Sequence, residues 1–74
     1  MMIDSRDVKP GEMARVRKHT VVGGTPNVQM LRGGEVVLIL ARREKTPLDS
    51  IDVLLPNGMV GWLCETDIAC VVDQ

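Results

Sequence analysis

The strongest constraint on the fold is a hairpin signal in the C-terminal third of the chain. Asn57 and Gly58 stand between two apolar segments, and both residue types tolerate the positive φ angles that tight hairpin turns require. The flanking segments, residues 50–55 and 59–64, have the length of typical β-strands and are rich in aliphatic side chains. Together they predict an antiparallel β-hairpin.

Three other segments predict short strands. Residues 13–18 alternate between apolar and basic side chains, which is typical of a half-buried strand. Residues 35–42 contain an apolar, β-branched run between glycines and charged residues, which predicts a buried strand. Residues 69–72 form a last apolar segment, and we expect residues 65–67 before it to form one 3₁₀ turn.

The long segment at residues 19–34 is rich in Gly, Pro, Asn and Thr. We expect it to fold over as a long loop with short β stretches at residues 20–22 and 28–31. No segment of the chain repeats its apolar residues every 3.6 positions, which argues against a helical fold.

The length of 74 residues allows one domain. Five short strands in meander order close most simply into a small barrel. We therefore predict an all-β domain over residues 9–74, a five-stranded barrel with a long first loop and one 3₁₀ turn before the last strand. Residues 1–8 combine charges with scattered apolar residues, and we expect them to form a loose N-terminal arm.

Residues 53–63, which read Val-Leu-Leu-Pro-Asn-Gly-Met-Val-Gly-Trp-Leu, resemble the distal hairpin of bacterial SH3-type domains. That hairpin commonly runs valine, any residue, leucine, a turn ending in Asn-Gly, two residues, and then Gly-Trp-Val. Residues 31–40 resemble the end of the long first loop and the second strand of the same family, and residues 65–68 fall at its 3₁₀ turn. The resemblance covers residues 12–72 in the order of elements, is specific at the hairpin, and implies an SH3-like barrel.

The chain departs from the SH3 domains that bind polyproline. Ser50 stands where the resemblance places the groove tryptophan, Asp67 stands at the tyrosine of the 3₁₀ turn, and Cys64 replaces the proline before that turn. The chain has one Trp and no Phe or Tyr, so the aromatic platform for polyproline is missing. We therefore expect no polyproline ligand, and a fold resemblance by itself does not assign a function.

The composition argues against catalysis, cofactors and metals. His19 is the only histidine, and the two cysteines form no Cys-x-x-Cys pair, so the ligand set of a zinc site is missing. No glycine-rich cofactor motif precedes a helical pattern, and one histidine is not enough to assemble a nucleophile with its base. We expect no cofactor, no metal, no catalytic residue and no enzymatic activity.

The same inspection bears on location. No run approaches the roughly 20 apolar residues that span a membrane, and residues 1–7 lack the apolar core of a secretory signal. We expect a cytoplasmic protein without a membrane role. In that reducing setting, Cys64 and Cys70 are expected to be free and mostly buried.

An excess of apolar residues on the outside of the predicted barrel is the main functional signal. Alternation places Val37, Ile39, Val53 and Leu55 inward, yet their neighbours along the strands are also aliphatic. Either the first loop and the N-terminal arm cover this outer face, or the face binds a second copy or a protein partner. We predict a non-catalytic interaction module. The residues expected at the interface are Val36, Leu38, Leu54, Met59 and Trp62, although Trp62 is also a candidate for simple packing over one barrel face.

The alternative function is weak nucleic-acid binding through a basic patch. The candidate residues are Arg15, Arg17, Arg32, Arg42, Arg43 and Lys45. The net charge of −1 provides no global attraction for nucleic acid, and no aromatic residues lie among these cations to stack on bases. Ordinary surface charge explains the same residues, so nucleic acid is the less favoured partner.

Overall fold

The computed structural model describes residues 8–72, and this part of the chain is all-β, as predicted. The strands are β1 (Met13–Val16), β2 (Thr20–Val22), β3 (Gln29–Leu31), β4 (Val36–Arg43), β5 (Ser50–Leu54), β6 (Val60–Cys64) and β7 (Ile68–Val71). Five of them form one antiparallel sheet in the order β6-β5-β4-β1-β7, and β2 and β3 form a second sheet of two strands. The predicted 3₁₀ turn lies at Glu65–Asp67, and β7 begins at Ile68, one residue earlier than expected.

The hydrophobic core follows the alternation of the two central strands. Val37 and Ile39 of β4 are each 1% exposed, and Ile51 and Val53 of β5 are fully buried. The inward positions predicted for Val37, Ile39, Val53 and Leu55 are therefore confirmed. Each such aliphatic side chain contributes about 1.5–3 kcal/mol relative to an exposed position.

The described chain begins inside the core. Val8, at the last position of the expected N-terminal arm, is 1% exposed, and residues 1–7 of that arm lie outside the described residues. The backbone N–H of Gly11 donates to the carbonyl of Ile39, and the N–H of Ile39 donates to the carbonyl of Glu12, both at 2.8 Å. The packed domain therefore includes Val8, and Gly11 and Glu12, shortly after Val8, are hydrogen-bonded to Ile39 of β4.

The long first loop contributes to the core. Val22 of β2 and Leu31 of β3 are 3% and 5% exposed. The β2–β3 hairpin formed by these strands is joined to the large sheet where Gly23 and Trp62 exchange backbone hydrogen bonds of 3.0 and 2.9 Å. The described part of the loop thus packs beside β6 and completes the core.

A β-bulge changes the direction of side chains in β4. Ile39 pairs with Val53, whereas Ala41 pairs with Asp52, so Leu40 is an extra residue in β4. After a bulge, the residues that follow change faces. Arg42 consequently pairs with buried Ile51 and lies on the core side of the sheet.

Candidate functional site

An apolar row crosses four adjacent strands on the outer face of the large sheet. Met13 pairs with Leu38, Leu38 pairs with Leu54, and Leu54 pairs with Val60. Residues that are paired across antiparallel strands bring their side chains into contact on one face. We call Met13, Leu38, Leu54 and Val60 the apolar row.

The two ends of the apolar row are open to solvent. Met13 is 37% exposed and Val60 is 55% exposed, whereas Leu38 and Leu54 in the middle are half-buried. Members of the row alternate with buried residues along their strands, which shows that the row lies on the face of the sheet opposite the core. Since Val60 remains exposed, the described part of the first loop does not cover the β6 end of the row.

Two other predicted interface residues lie on the same face as the apolar row. Val36 is half-buried, pairs with Arg15 of β1, and precedes Leu38 by two positions in β4. Trp62 is 49% exposed, pairs with Asp52 of β5, and follows Val60 by two positions in β6. Both residues extend the apolar surface along the strands.

Met59 is the interface residue that the structure places elsewhere. Its side chain is half-buried and packs against the core, not on the outer face. The local backbone explains this position. The N–H of Met59 donates to Asn57 Oδ1 at 3.0 Å, and its carbonyl accepts the N–H of Leu55 at 2.8 Å. The expectation of an outward Met59 was wrong, and Val60 lies on the outer face instead.

Trp62 rests on a glycine pair. A Cβ atom at Gly23 would overlap the indole ring, and one at Gly24 would lie 3.0 Å from Trp62 Cδ1. The absence of side chains at these two positions lets the ring lie against the loop backbone. One part of the ring therefore packs on the first loop, while about half of the residue stays exposed.

Met13 and Val60 were not among the interface residues predicted from the sequence. Val60 could have been predicted, because a three-residue turn at residues 56–58, closed by Leu55 and Met59, sets Leu54 opposite Val60. The sequence around Met13 does not indicate that it extends the row, because its place there depends on the pairing of β1 with β4, and these strands are distant in sequence.

The cations of the predicted nucleic-acid surface have different surroundings. Arg42 is 21% exposed and binds two carboxylates, with Nε 2.8 Å from Asp49 Oδ2 and Nη2 2.7 Å from Glu65 Oε2. Its Nη1 also donates to the carbonyl of Val8 at 3.4 Å. The guanidinium thereby joins the start of the domain, the β4–β5 loop and the 3₁₀ turn.

The remaining candidate cations are all exposed. Arg43 is ion-paired with Asp52 across the β4–β5 pair at 3.0 Å. Lys45 lies in the β4–β5 loop, beyond one end of β4, whereas Arg32 lies in the turn before the other end. Arg15 donates to the carbonyl of Gly34 at 2.8 Å, which sets it beside that same turn.

The carboxyl of Asp49 has a lowered pKa. The hydrogen bond from the Arg42 side chain is the main cause, and the backbone N–H of Lys45 adds to it. Both donors favour the ionised form. Asp49 therefore binds its proton less readily in the folded state than in the unfolded state.

This lowered pKa predicts an acid-sensitive contribution to stability. The contribution is complete above the ordinary Asp value of 3.8 and is lost as the pH falls through the lower folded-state pKa. Asp49→Asn should remove it, so its free energy of unfolding should fall less steeply with acidification than that of the unchanged protein. Urea unfolding over a pH series from about 6 to 2.5 measures this slope. Asp52→Asn is the matched control, because it also removes one carboxylate. If the free energy of unfolding fell with pH equally steeply in Asp49→Asn and in the unchanged protein, the prediction would be contradicted.

The cysteines differ from expectation in their burial. Both are free, but Cys70 is exposed and Cys64 is half-buried, so the expectation of mostly buried thiols was wrong. Cys64 Sγ accepts a hydrogen bond from Thr66 Oγ1 at 3.3 Å at the start of the 3₁₀ turn. Cys70 pairs with Arg15 on β1.

Residues 8–72 contain neither a metal-binding cluster nor a membrane-spanning helix. Within that range, no three His, Cys, Asp or Glu residues lie close enough together to hold a metal ion. The same residues include no helix with the length and apolar character needed to cross a membrane. No protein-family model, curated protein or solved structure matches the chain.

Proposed function

We propose that this chain is a non-catalytic, SH3-like interaction module that docks another protein chain, or a second copy of itself, through the apolar row and Trp62. The observation that carries the proposal is the row itself. Met13, Leu38, Leu54 and Val60 are contiguous across four strands on a face where an antiparallel sheet normally presents polar residues to water. Contiguous exposed apolar surface of this kind is typical of docking sites.

The SH3-like barrel is part of the same proposal. The order β6-β5-β4-β1-β7 brings the first and last strands together and makes the distal hairpin one end of the sheet. The backbone hydrogen bonds between Gly23 and Trp62 attach the β2–β3 hairpin beside β6, and both sheets contribute to one core. These features support a sheet that curves around its core.

The surroundings of the row resemble the anatomy of protein interfaces. A central apolar region with an aromatic residue is surrounded by charged groups, here Arg15 on one side and the Arg43–Asp52 ion pair on the other. Complete burial of an exposed aliphatic side chain contributes about 1.5–3 kcal/mol, and Trp is among the residues that most often dominate binding. The free cysteines fit the cytoplasmic setting that we propose for the module.

A second copy is the first occupant to test, because small domains often gain stability by oligomerisation. Size-exclusion chromatography with light scattering, at low and high salt, should give a mass of at least twice the 8.1 kDa of one chain. Apolar association should be insensitive to salt. Leu54→Glu and Val60→Glu should each weaken it by at least about tenfold, since a buried unpaired carboxylate costs more than about 1.4 kcal/mol.

Val28→Glu is the matched control, because Val28 is 81% exposed in the first loop and the substitution adds the same charge. It should leave the mass unchanged. Urea unfolding followed by Trp62 fluorescence verifies that each variant is folded. A folded Val60→Glu variant with the mass of the unchanged assembly would place the interface elsewhere. A monomer at both salts would exclude self-association and leave a different protein as the partner to be sought.

A further inference from the structure

The cations of residues 8–72 fall into two classes. Arg42 and Arg43 are held in ion pairs with Asp49, Glu65 and Asp52. The other six lysines and arginines form no salt bridge within this range, and all six are exposed; four of them lie around one turn. We call these four residues the basic patch: Arg15, Arg17, Lys18 and Arg32.

A glycine turn brings the basic patch together. The turn at Gly33–Gly34 lies against the end of β1, and a Cβ atom at Gly33 would be only 3.1 Å from Lys18 Cα and 3.2 Å from the Arg17 carbonyl oxygen. The N–H of Gly34 donates to the carbonyl of Val16 at 2.9 Å. Arg32, directly before the turn, is thereby set beside Arg17 and Lys18.

Arg15 joins the patch from the same side. Its Nη1 donates to the carbonyl of Gly34 at 2.8 Å, which orients the guanidinium toward the turn. Four positive charges therefore surround one turn, although their sequence positions are up to 17 residues apart.

Two carboxylates border the patch, and both are engaged by backbone groups. Glu35 Oε2 accepts the N–H of Arg32 at 2.6 Å, and Asp67 Oδ2 accepts the N–H of Cys64 at 3.1 Å. Counting both carboxylates against the four cations leaves a local net charge of +2. The patch is therefore positive on a chain whose net charge is −1.

We propose that the basic patch contacts the phosphate backbone of nucleic acid. Guanidinium groups bind phosphate through paired hydrogen bonds, and three of the four cations are arginines. The four residues include no aromatic side chain, so the patch has no platform on which a base could stack. Contact with phosphates alone is weak, independent of sequence and strongly dependent on salt.

Compared with the sequence prediction, this surface keeps Arg15, Arg17 and Arg32 and gains Lys18. It loses Arg42 and Arg43 to their ion pairs, and it excludes Lys45, which follows β4 whereas Arg32 precedes it. It adjoins the apolar row at Arg15, which follows Met13 by two positions in β1, and its other three members lie at the turn beyond the end of β1. The two surfaces can therefore be tested independently.

Fluorescence anisotropy with a labelled DNA duplex of about 20 base pairs tests the proposal. Four phosphate contacts predict that affinity falls roughly 100-fold between about 50 and 200 mM salt. Arg17→Glu with Arg32→Glu should weaken binding at least tenfold at about 50 mM salt, and should reduce the slope of log K against log salt by about two.

Lys9→Glu with Arg43→Glu is the matched control, because it changes the net charge equally outside the patch. It should alter affinity less than threefold. An equal loss in the control would overturn the proposal in favour of a global charge effect. Absence of duplex binding at low salt would overturn it outright, and tighter binding of a poly-glutamate peptide would assign the patch to an acidic protein instead.

Discussion

Arg42→Ala is expected to lower the free energy of unfolding by about 2–4 kcal/mol, a large fraction of the stability of a domain this small. The main cause is Glu65, whose side chain is 11% exposed and whose Oε2 lies 2.7 Å from Arg42 Nη2. Removal of the guanidinium leaves this carboxylate nearly buried without a cation. Asp49 loses its ion-pair partner in the same step, and the Val8 carbonyl loses a donor.

Arg43→Ala is the control for this prediction. Arg43 is the next residue in β4, but its side chain is 66% exposed and forms a single ion pair with Asp52. Exposed pairs contribute little, so the loss should be below about 1 kcal/mol. Urea unfolding followed by the fluorescence of Trp62 measures both variants, since the chain has no other aromatic residue. Equal, small losses would show that the Arg42 network is not what stabilises the β4–β5 loop and the 3₁₀ turn.

Arg42→Lys separates charge from geometry at the same position. A lysine keeps the positive charge but has no fork of donors for two carboxylates at once. Its stability should fall between that of the unchanged protein and that of Arg42→Ala. A lysine variant as stable as the unchanged protein would mean that charge alone accounts for the effect.

Local patterns were sufficient to predict most of the strands. The alternation of buried and outer residues has a period of two, so Val37 and Ile39 were assigned to the core correctly from the segment that contains them. The Asn57–Gly58 signal likewise predicted the β5–β6 hairpin, because the turn at residues 56–58 is local and requires a positive φ angle only at Gly58.

Features that depend on distant pairing were not predictable in this way. The bulge at Leu40 is visible only in the register with β5, and it moves Arg42 from the expected outer surface to the core side. The same applies to Val8, whose burial is determined by the strands that surround it and not by its neighbours in the chain.

Some residues of the candidate site were likewise predictable from local patterns, whereas others depend on pairing between distant strands. Leu38 and Leu54 were predicted to lie on the outer face because alternation is local, and the structure places them side by side. Their continuation to Met13 required the pairing of β1 with β4. Met59 was misplaced, although alternation with outward Val60 and its position opposite buried Leu55 place it on the core side.

Gly61→Ala should destabilise the domain by about 2–3 kcal/mol, the cost of overpacking a well-filled core. A Cβ atom at Gly61 would overlap Val22 Cγ1 and would lie 2.8 Å from the carbonyl oxygen of Gly23. That carbonyl cannot move away freely, because it accepts the backbone N–H of Trp62 at 2.9 Å. The added methyl group must therefore displace buried Val22 or separate the first loop from β6.

Gly23→Ala provides the contrast, because the atoms that a new Cβ would meet there belong to the indole ring of Trp62. The ring is half-exposed and can swing into solvent, so the loss of stability should be smaller than for Gly61→Ala. The fluorescence of Trp62 should shift to longer wavelength in Gly23→Ala as the ring leaves its glycine support. A greater loss of stability in Gly23→Ala than in Gly61→Ala would mean that packing of the indole, and not the close approach of β6 to the loop backbone, holds the first loop in place. In that case Trp62 would act mainly as a packing residue, and the docking surface would be reduced to the apolar row.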